Sequence, residues 1–286
     1  MQRHHPFHFV AATLALMLSG CGVGQGVGDQ ATNDLIQAIA LSTTDYLILD
    51  LDSGAITTTT SLTDVATNAS YRDRQMVFKA IEAGSSVQGS SPVDFGHQAD
   101  ETPTAATLPR YYMGIFEVTQ AQWARLSTTH PWTTITPASL TAVGDTRPAH
   151  GISLSVAVGA LASAGSRLGH ALALPTEAQW ERACRGGSGA TFAWGDIRDE
   201  SLVAGFALVA ETAAGQSGPG PVGQRAANGY GLYDVHGNVA ELTASGVLRG
   251  GSWRDGLAQA RCANRNTGID RDTGHALAGL RLVLTP

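Results

Sequence analysis

Lysine is almost absent from this sequence. Lys79 is the only lysine among 286 residues, whereas arginine occurs 17 times, and the acidic residues outnumber both to give a formal net charge of −6. We find no basic stripe, so the sequence gives no electrostatic reason to bind nucleic acid. The hydrophobic content of 43% is ordinary for a globular protein with a real core, and the length fits one large domain or two modest ones.

Long apolar runs are also scarce, and the clearest one lies near the amino terminus. FVAATLALML, residues 9–18, is about ten residues long, whereas a helix that crosses a bilayer needs roughly 20. With Arg3 before it, this run predicts an export signal over residues 1–20. The adjoining LSGC, residues 18–21, resembles the processing site of bacterial lipoproteins, which makes Cys21 the expected lipidation site.

The lipoprotein resemblance implies a lipid anchor. Gly22 stands where inner-membrane lipoproteins usually carry Asp, so we expect an outer-membrane lipoprotein that faces the periplasm or the cell surface. Residues 21–43, which begin with the glycine-rich GVGQGVG, are predicted to be a flexible tether. The alternative is an ordinary secreted protein in which Cys21 is fortuitous.

Cysteine is the third scarce residue, with three in the chain. An odd number in an exported protein leaves one cysteine over, and lipidation of Cys21 would remove it. Cys184 and Cys262 then remain, either as a disulfide or as two buried free thiols.

Strands and helices alternate through the body of the sequence, which predicts an α+β fold. The β-rich segments are 45–51, 76–82 and 111–118, and residues 57–70 are interpreted as a polar excursion. Helices are expected over 153–168, from its apolar spacing, and after Thr119 and Thr176, each of which begins a capping box with a glutamine three residues later. Turns dominate after residue 186.

The most glycine-rich stretch is NGYGLYDVHGNVAELTASGVLRGGSW, residues 228–253. Asp234 and Glu241 lie seven residues apart in it, around a glycine turn. Two carboxylates with backbone carbonyls from a non-helical segment suit a hard cation. The alternative is a surface loop with two solvated acids.

Several sequence motifs resemble those of the formylglycine-generating enzyme and sulfatase-modifying factor family, and they occur in the same order as in the family. They are YYMGIFEVTQAQW (111–123), ALPTEAQWERACRGG (173–187), FAWGD (192–196), PVGQRAANGYGLYDVHGNVAEL (221–242), LRGGSW (248–253) and GLRLV (279–283), with a weaker echo at 75–90. The resemblance implies a C-type-lectin-like fold, rich in irregular glycine-containing loops, over residues 44–286.

The resemblance also implies a structural disulfide and a bound metal. Cys184 and Cys262 fall where the family carries a disulfide. One Ca²⁺ site maps onto Asp234, Gly237, Val239 and Glu241, whereas a second one is lost because residues 203–216 lack its Asn and Asp. His236, inside the turn, is interpreted as incidental.

The family's two copper-binding thiols are missing. The first is expected at Asp255 and the second near residues 258–260, and the segment between Ser252 and Cys262 is about three residues shorter than in the enzyme. Because Cu(I) needs soft thiolates, we expect no copper, no catalytic residues and no formylglycine generation. A lone Cys262 nucleophile with His275 as its base is the weaker alternative.

Loss of the thiols leaves binding as the expected function, carried by the C-terminal segment 249–286. Two stretches without helical or strand period lie in it, 254–258 and 267–278. The expected ligand-binding residues are Arg254, Asp255, Leu257, Thr267, Ile269, Asp270, Arg271, Asp272, Thr273, His275 and Leu277. The alternative is that the two stretches are solvated loops without a binding role.

The partner is expected to be an unknown protein or glycan. Lipoproteins of this subfamily include targets of diversity-generating retroelements, so the resemblance makes the segment a candidate for a diversified receptor or adhesin. An accessory factor of an envelope secretion or motility complex is the alternative function, and a formylglycine-generating oxidase that acts on sulfatases is the third.

Overall fold

A computed structural model describes residues 43–140, 142–268 and 272–285. They belong almost entirely to the second of the two units into which the chain divides, Thr44–Pro286. The predicted signal segment 1–20, Cys21, the tether up to residue 42 and the binding candidates Ile269, Asp270 and Arg271 lie outside the described residues. Among those described, no helix combines the length and the apolar character that a membrane crossing requires.

A six-stranded antiparallel sheet organises the first half of this unit. Its strands, in spatial order, are β2 (Ile56–Thr59), β1 (Tyr46–Asp50), β3 (Gln75–Ile81), β6 (Tyr111–Gly114), β11 (Val283–Thr285) and β7 (Ala171–Ala173). The last described strand therefore lies inside the sheet, between β6 and β7, and ties residue 285 to the middle of the fold.

The predicted strands 45–51 and 76–82 are confirmed as β1 and β3, which pair with each other. Strand 111–118 is shorter than expected and ends at Gly114. The polar excursion was wrong at its start, because Ile56–Thr59 pairs with β1 as an edge strand and its threonines face solvent. Threonine suits such a half-exposed strand position.

Four α-helices lie between β6 and β8 (Ala240–Leu242) in the described part of the chain. They are α1 (Gln120–Leu126), α2 (Leu154–Leu168), α3 (Glu177–Arg185) and α4 (Glu200–Phe206). Both predicted capping boxes are confirmed, with Thr119 and Thr176 accepting from the backbone of Gln122 and Gln179. Helix α3 ends at Gly186, whose φ of 58° is a conformation that favours glycine.

Short strands and turns complete the unit. The hairpin β4 (Gly84–Gln88) and β5 (Thr104–Leu108) forms a two-stranded sheet, and β8 (Ala240–Leu242) pairs with β9 (Leu248–Arg249) and, in parallel, with β10 (Ala278–Leu280). Strand β8 is buried on both faces. The glycine-rich stretch predicted from sequence is therefore interior, and it is not a surface loop.

Candidate functional site

The disulfide expected from the resemblance is present in the structure. Cys184, in the last turn of α3, is joined to Cys262 with an S–S distance of 2.08 Å and a Cα–Cα distance of 5.7 Å. Both residues are buried. The bond fixes the middle of the C-terminal segment to α3, so the segments on either side of Cys262 leave from a rigid point.

His236 lies against this disulfide, with Nε2 at 3.9 Å from the Cys184 sulfur and 4.0 Å from the Cys262 sulfur. Its Nε2 accepts from the Ala193 amide at 3.1 Å, so Nδ1 carries the proton and donates to the Ala260 carbonyl at 2.7 Å. Burial lowers the pKa of His236 to about 4, which keeps the ring neutral. Both nitrogens are used within the fold, and His236 is a structural residue.

Of the four residues mapped to a Ca²⁺ site, Glu241 is paired with a cation of the chain itself. Its two carboxylate oxygens accept from Arg281, at 3.1 and 3.0 Å from Nε and 2.7 Å from Nη2, and from Trp180 Nε1 at 2.6 Å. All three side chains are almost fully buried. A cation on the same oxygens would face the guanidinium charge at hydrogen-bond distance. In this structure the partner of Glu241 is Arg281, 40 residues along the chain, and the calcium site stays a prediction.

Asp234 and the backbone of the two other positions also make contacts within the fold. The Asp234 carboxylate accepts from the Gly223 amide at 2.6 Å, and burial raises its pKa to about 6. Val239 donates its amide to Glu117 Oε1 at 3.0 Å. The Gly237 Cα packs so closely on the Leu208 carbonyl that a Cβ would lie 2.0 Å from the oxygen. The glycine turn therefore serves close packing.

Glu117 is a buried carboxyl that sequence reasoning missed. It accepts from Asn238 Nδ2 at 2.6 Å as well as from Val239. Burial raises its pKa well above the usual range, and the charges of Asp234 and Glu241 add to this effect. No spacing around Glu117 could have revealed it, because its partners lie more than 120 residues later.

Arginines hold the C-terminal segment in place around the disulfide. Three of them pair with glutamates from distant parts of the chain, Arg249 with Glu181, Arg261 with Glu101 and Arg265 with Glu177, each with a shortest N–O distance of 2.6 Å. Arginine suits such buried pairs because its planar fork satisfies both carboxylate oxygens. The framework motifs RGGSW and CANRN are thus held in place by these arginine–glutamate pairs, independently of any ligand.

Between these anchors lies a cleft with a volume of about 340 Å³, which we name the polar cleft. Its polar side chains include Asp100, Asp255, Gln259, Asn264, Asn266 and Thr267, and part of its wall is Gly251. Asp255, where the resembled enzyme would carry its first thiol, accepts from the Ser252 hydroxyl at 2.6 Å and the Ser252 amide at 2.9 Å. A carboxylate that closes a turn has replaced a metal ligand there.

Asn264 is the most informative residue of the polar cleft. It is only 6% exposed. No hydrogen bond joins its side-chain amide to the part of the chain that the structure describes, and the residue lines the cleft. Its amide atoms are not among the solvent-inaccessible polar atoms that lack a partner, so they open onto the cleft. An amide that opens onto a cleft can exchange water for a ligand that enters it.

Two of the expected binding residues, Asp255 and Thr267, line the polar cleft. Arg254, Asp272 and Thr273 are exposed but do not line it, and His275 accepts from the Leu277 amide at 3.3 Å with both residues half-buried. Leu257 is a correction. It is 8% exposed and packs in a hydrophobic cluster with Phe192, Val203 and Val209, so its side chain is unavailable to a ligand.

The missed residues of the polar cleft come from two places. Asn264 and Asn266 belong to CANRN, which sequence reasoning treated as framework. Gln98 and Asp100 lie in a loop more than 150 residues earlier and reach the cleft through the pairing of Arg265 with Asp100 at 3.2 Å. Only the folded arrangement reveals that juxtaposition.

Comparison with known proteins gives a family match over most of the chain. The profile described as "Sulfatase-modifying factor enzyme 1-like domain" matches residues 62–286. The formylglycine-generating enzyme of Mycobacterium tuberculosis (strain ATCC 25618 / H37Rv) is 44% identical over 79 residues, 25% of this chain and 26% of that enzyme. "Inactive C-alpha-formylglycine-generating enzyme 2" of Mus musculus is 40% identical over 97 residues, 29% of this chain and 32% of that protein.

These matches span about a quarter to a third of the relatives' length, and the relatives include an enzyme and a protein named as inactive. Two solved structures are similar over more of the chain. Treponema denticola variable protein 1 has a TM-score of 0.63 at 22% identity, over 74% of this chain and 96% of that one. PvdO from Pseudomonas aeruginosa has a TM-score of 0.64 at 22% identity, over 73% and 94%. The expected α+β, C-type-lectin-like fold is confirmed.

Proposed function

The chain belongs to the family defined by the sulfatase-modifying factor enzyme 1-like domain, and from that premise we propose that it is a binding protein that does not catalyse thiol oxidation. Its ligand is held in the polar cleft by loops of the C-terminal segment. We propose further that Cys21 carries a lipid that anchors the protein to the outer membrane, with the ligand a protein or a glycan outside the chain.

The observation that carries this proposal is the unpartnered amide of Asn264 in a cleft built around Asp255. An asparagine amide offers two donors and a carbonyl acceptor, which match a peptide group or a pair of sugar hydroxyls. The lining carries one cation, Arg265, which pairs with Asp100, and a second carboxylate, Asp255. An anionic ligand is therefore disfavoured, and a ligand with uncharged donors and acceptors fits the amide and hydroxyl groups of the lining.

The chemistry of the cleft also argues against the copper reaction. Cys184 and Cys262 are consumed in a buried disulfide, and the positions expected for the two thiols are Asp255 and the stretch 258–260, which reads Ala-Gln-Ala. Carboxylate, amide and methyl groups do not supply the two thiolates that Cu(I) needs. The similarity to a protein named "variable" supports the idea that this part of the fold is used for recognition.

The test is binding of the full chain to arrays of immobilised neutral glycans and of peptides. Asn264→Ala and Thr267→Ala should each weaken the retained signal about fivefold, because a net hydrogen bond is worth on the order of 1 kcal/mol and each change removes at least one. Thr58→Ala, on the exposed edge strand β2, is the matched control and should bind like the parent.

Two outcomes would overturn the proposal. One is that no array probe is retained in a manner that depends on Asn264 or Thr267. The other is copper-dependent conversion of a sulfatase-motif peptide by the purified protein, which would restore the oxidase function.

A further inference from the structure

A second and larger cleft lies between the hairpin β4–β5 and the carboxyl end of α3. Its volume is about 550 Å³, and we name it the arginine cleft. Ser85, Ser86 and Val87 line it from β4, Arg182 from α3, and Ser188 and Asp94 from the loops that follow these elements. None of these residues belongs to the polar cleft or to the calcium assignment.

Three arginines line the arginine cleft, and two of them are neutralised. Arg185 pairs with Glu181 and Arg261 with Glu101, each at 2.6 Å. Arg182 differs, because no carboxylate of the described residues lies within 4.0 Å of its guanidinium. Its Nη2 donates to the Glu82 backbone carbonyl at 2.9 Å, while Nε and Nη1 are buried and find no acceptor in the described chain.

The hairpin adds a second unpaired group next to this guanidinium. The Ser86 hydroxyl is buried and, within the described residues, has no hydrogen-bond partner. Gly84 and Ser86 lie on the same face of β4, because side chains two residues apart share a face. A Cβ at Gly84 would lie 2.9 Å from Arg182 Nη2, so the glycine leaves the space in which the guanidinium sits. Arg182 and Ser86 therefore converge on one wall.

Buried donors without acceptors are unfavourable, and more so when they carry charge. An acceptor that enters the arginine cleft relieves this state, and a negative one also compensates the charge of Arg182. Guanidinium groups recognise planar or tetrahedral oxyanions through parallel N–H donors. Serine hydroxyls around the guanidinium provide further donors.

We propose that the arginine cleft is a binding site for an oxyanion, a carboxylate or sulfate group carried by a small organic ligand such as an acidic sugar. Arg182 supplies the positive charge. Its guanidinium rotates so that the Nε and Nη1 donors, which have no acceptor in the described chain, point at the anion. Ser86 and Ser188 donate to the remaining oxygens. Asp94, an exposed carboxylate on the same lining, opposes the anion and limits its affinity.

The site is tested by titrating the full chain with glucuronate, glucose 6-sulfate and neutral glucose, followed by amide NMR shifts of Ala190 and Thr191 in the cleft wall. Glucuronate or glucose 6-sulfate, or both, should bind, and glucose should not. Binding of only one anion assigns the site to that group. Arg182→Gln should weaken binding by tenfold or more, since hydrogen bonds to a charged partner are worth about 1.5–3 kcal/mol.

Arg182 also contacts the hairpin, so a second pair of variants separates binding from folding. Val87 lines the cleft, is 58% exposed and lies on a strand where a long side chain is tolerated. Val87→Glu should weaken anion binding about twofold to threefold, because it adds one screened like charge to the lining, whereas Val87→Gln, which has the shape of glutamate without its charge, should not. Asp94→Asn should strengthen binding by a similar factor.

Three results would overturn the site. These are equal binding of glucose and the two anions, no shift with either anion at tens of millimolar, or anion binding that is unchanged in both Arg182→Gln and Val87→Glu. None of these outcomes bears on the polar cleft, whose variants and probes are different.

Discussion

At the scale of the residue, two buried asparagines of this protein show opposite uses of the same side chain. Asn228 Nδ2 donates to the carbonyls of Ala183 and Cys184, and its Oδ1 accepts from the amides of Tyr230 and Leu232. Asn264 is equally buried, yet its amide finds no partner within the described chain. The side-chain amide of Asn228 is used within the fold, whereas that of Asn264 remains available to a ligand.

This contrast predicts unequal responses to the same substitution. Asn264→Leu keeps the volume and removes an amide that bonds no described part of the chain, so it should change the free energy of unfolding by less than about 1 kcal/mol. Asn228→Leu breaks four hydrogen bonds and leaves their backbone partners unsatisfied, so it should lower that free energy by about 3 kcal/mol or more. Urea unfolding of both variants measures this. An equal destabilisation by Asn264→Leu would give Asn264 a structural role and remove the main support for the polar cleft.

At the scale of the element, the sequence predicted those parts whose signals are local. Helices α1 and α3 begin at capping boxes that can be found from four residues each, and β1 and β3 are apolar runs. The hairpin β4–β5 and the strands β8, β9 and β10 were not predicted. Those last three have two or three residues each and exist through pairing with distant segments, as β8 does with β10.

The candidate sites likewise divide into residues with a local sequence signal and residues whose role depends on distant segments. The resemblance located Cys184, Cys262, Asp255 and Thr267, because these lie in or beside recognisable words. It did not reveal the pairing of Glu241 with Arg281, since a carboxylate near a glycine turn looks the same in sequence whether its partner is a metal ion or an arginine. Only tertiary contacts decide between the two.

The two capping boxes provide an element-scale prediction. Thr176 is exposed and caps α3 alone, so Thr176→Ala should cost about 1 kcal/mol of stability. Thr119 is fully buried and also donates its hydroxyl to the Arg72 carbonyl at 2.7 Å, so Thr119→Ala should cost about 2 kcal/mol or more. The two changes should add, because the helices share no partner at these caps. Thermal or urea unfolding of the single and double variants tests this, and an equal cost at both positions would contradict it.

At the scale of the whole molecule, the fold depends on cross-links between distant parts of the chain. The disulfide joins residues 78 apart, and buried arginine–glutamate pairs join segments separated by 40 to 160 residues. Regular strands are too short in the second half to do this by themselves. The irregular glycine-rich backbone is therefore stabilised by covalent and ionic links, which leaves the loops at its surface free to differ.

Arg281 connects more groups than the other links, because its charge interacts with three buried carboxyls, Glu117, Asp234 and Glu241. Arg281→Met should cost about 3–5 kcal/mol at pH 7, the usual result of removing one partner of a buried ion pair.

This loss of stability in Arg281→Met should be smaller at pH 4. The folded pKa of Asp234, about 6, lies above its ordinary value of 3.8, so its contribution to stability is complete below 3.8 and is lost as the pH rises through 6. Without Arg281, Glu117 and Asp234 are less able to ionise when buried, so acid, which protonates them, partly rescues the variant. Arg281→Lys, which keeps the charge and loses the planar fork, should recover part of the stability at pH 7. Urea unfolding at the two pH values measures the difference, and an equal loss at pH 4 and pH 7 would mean that Arg281 stabilises the fold through its packing and not through its charge.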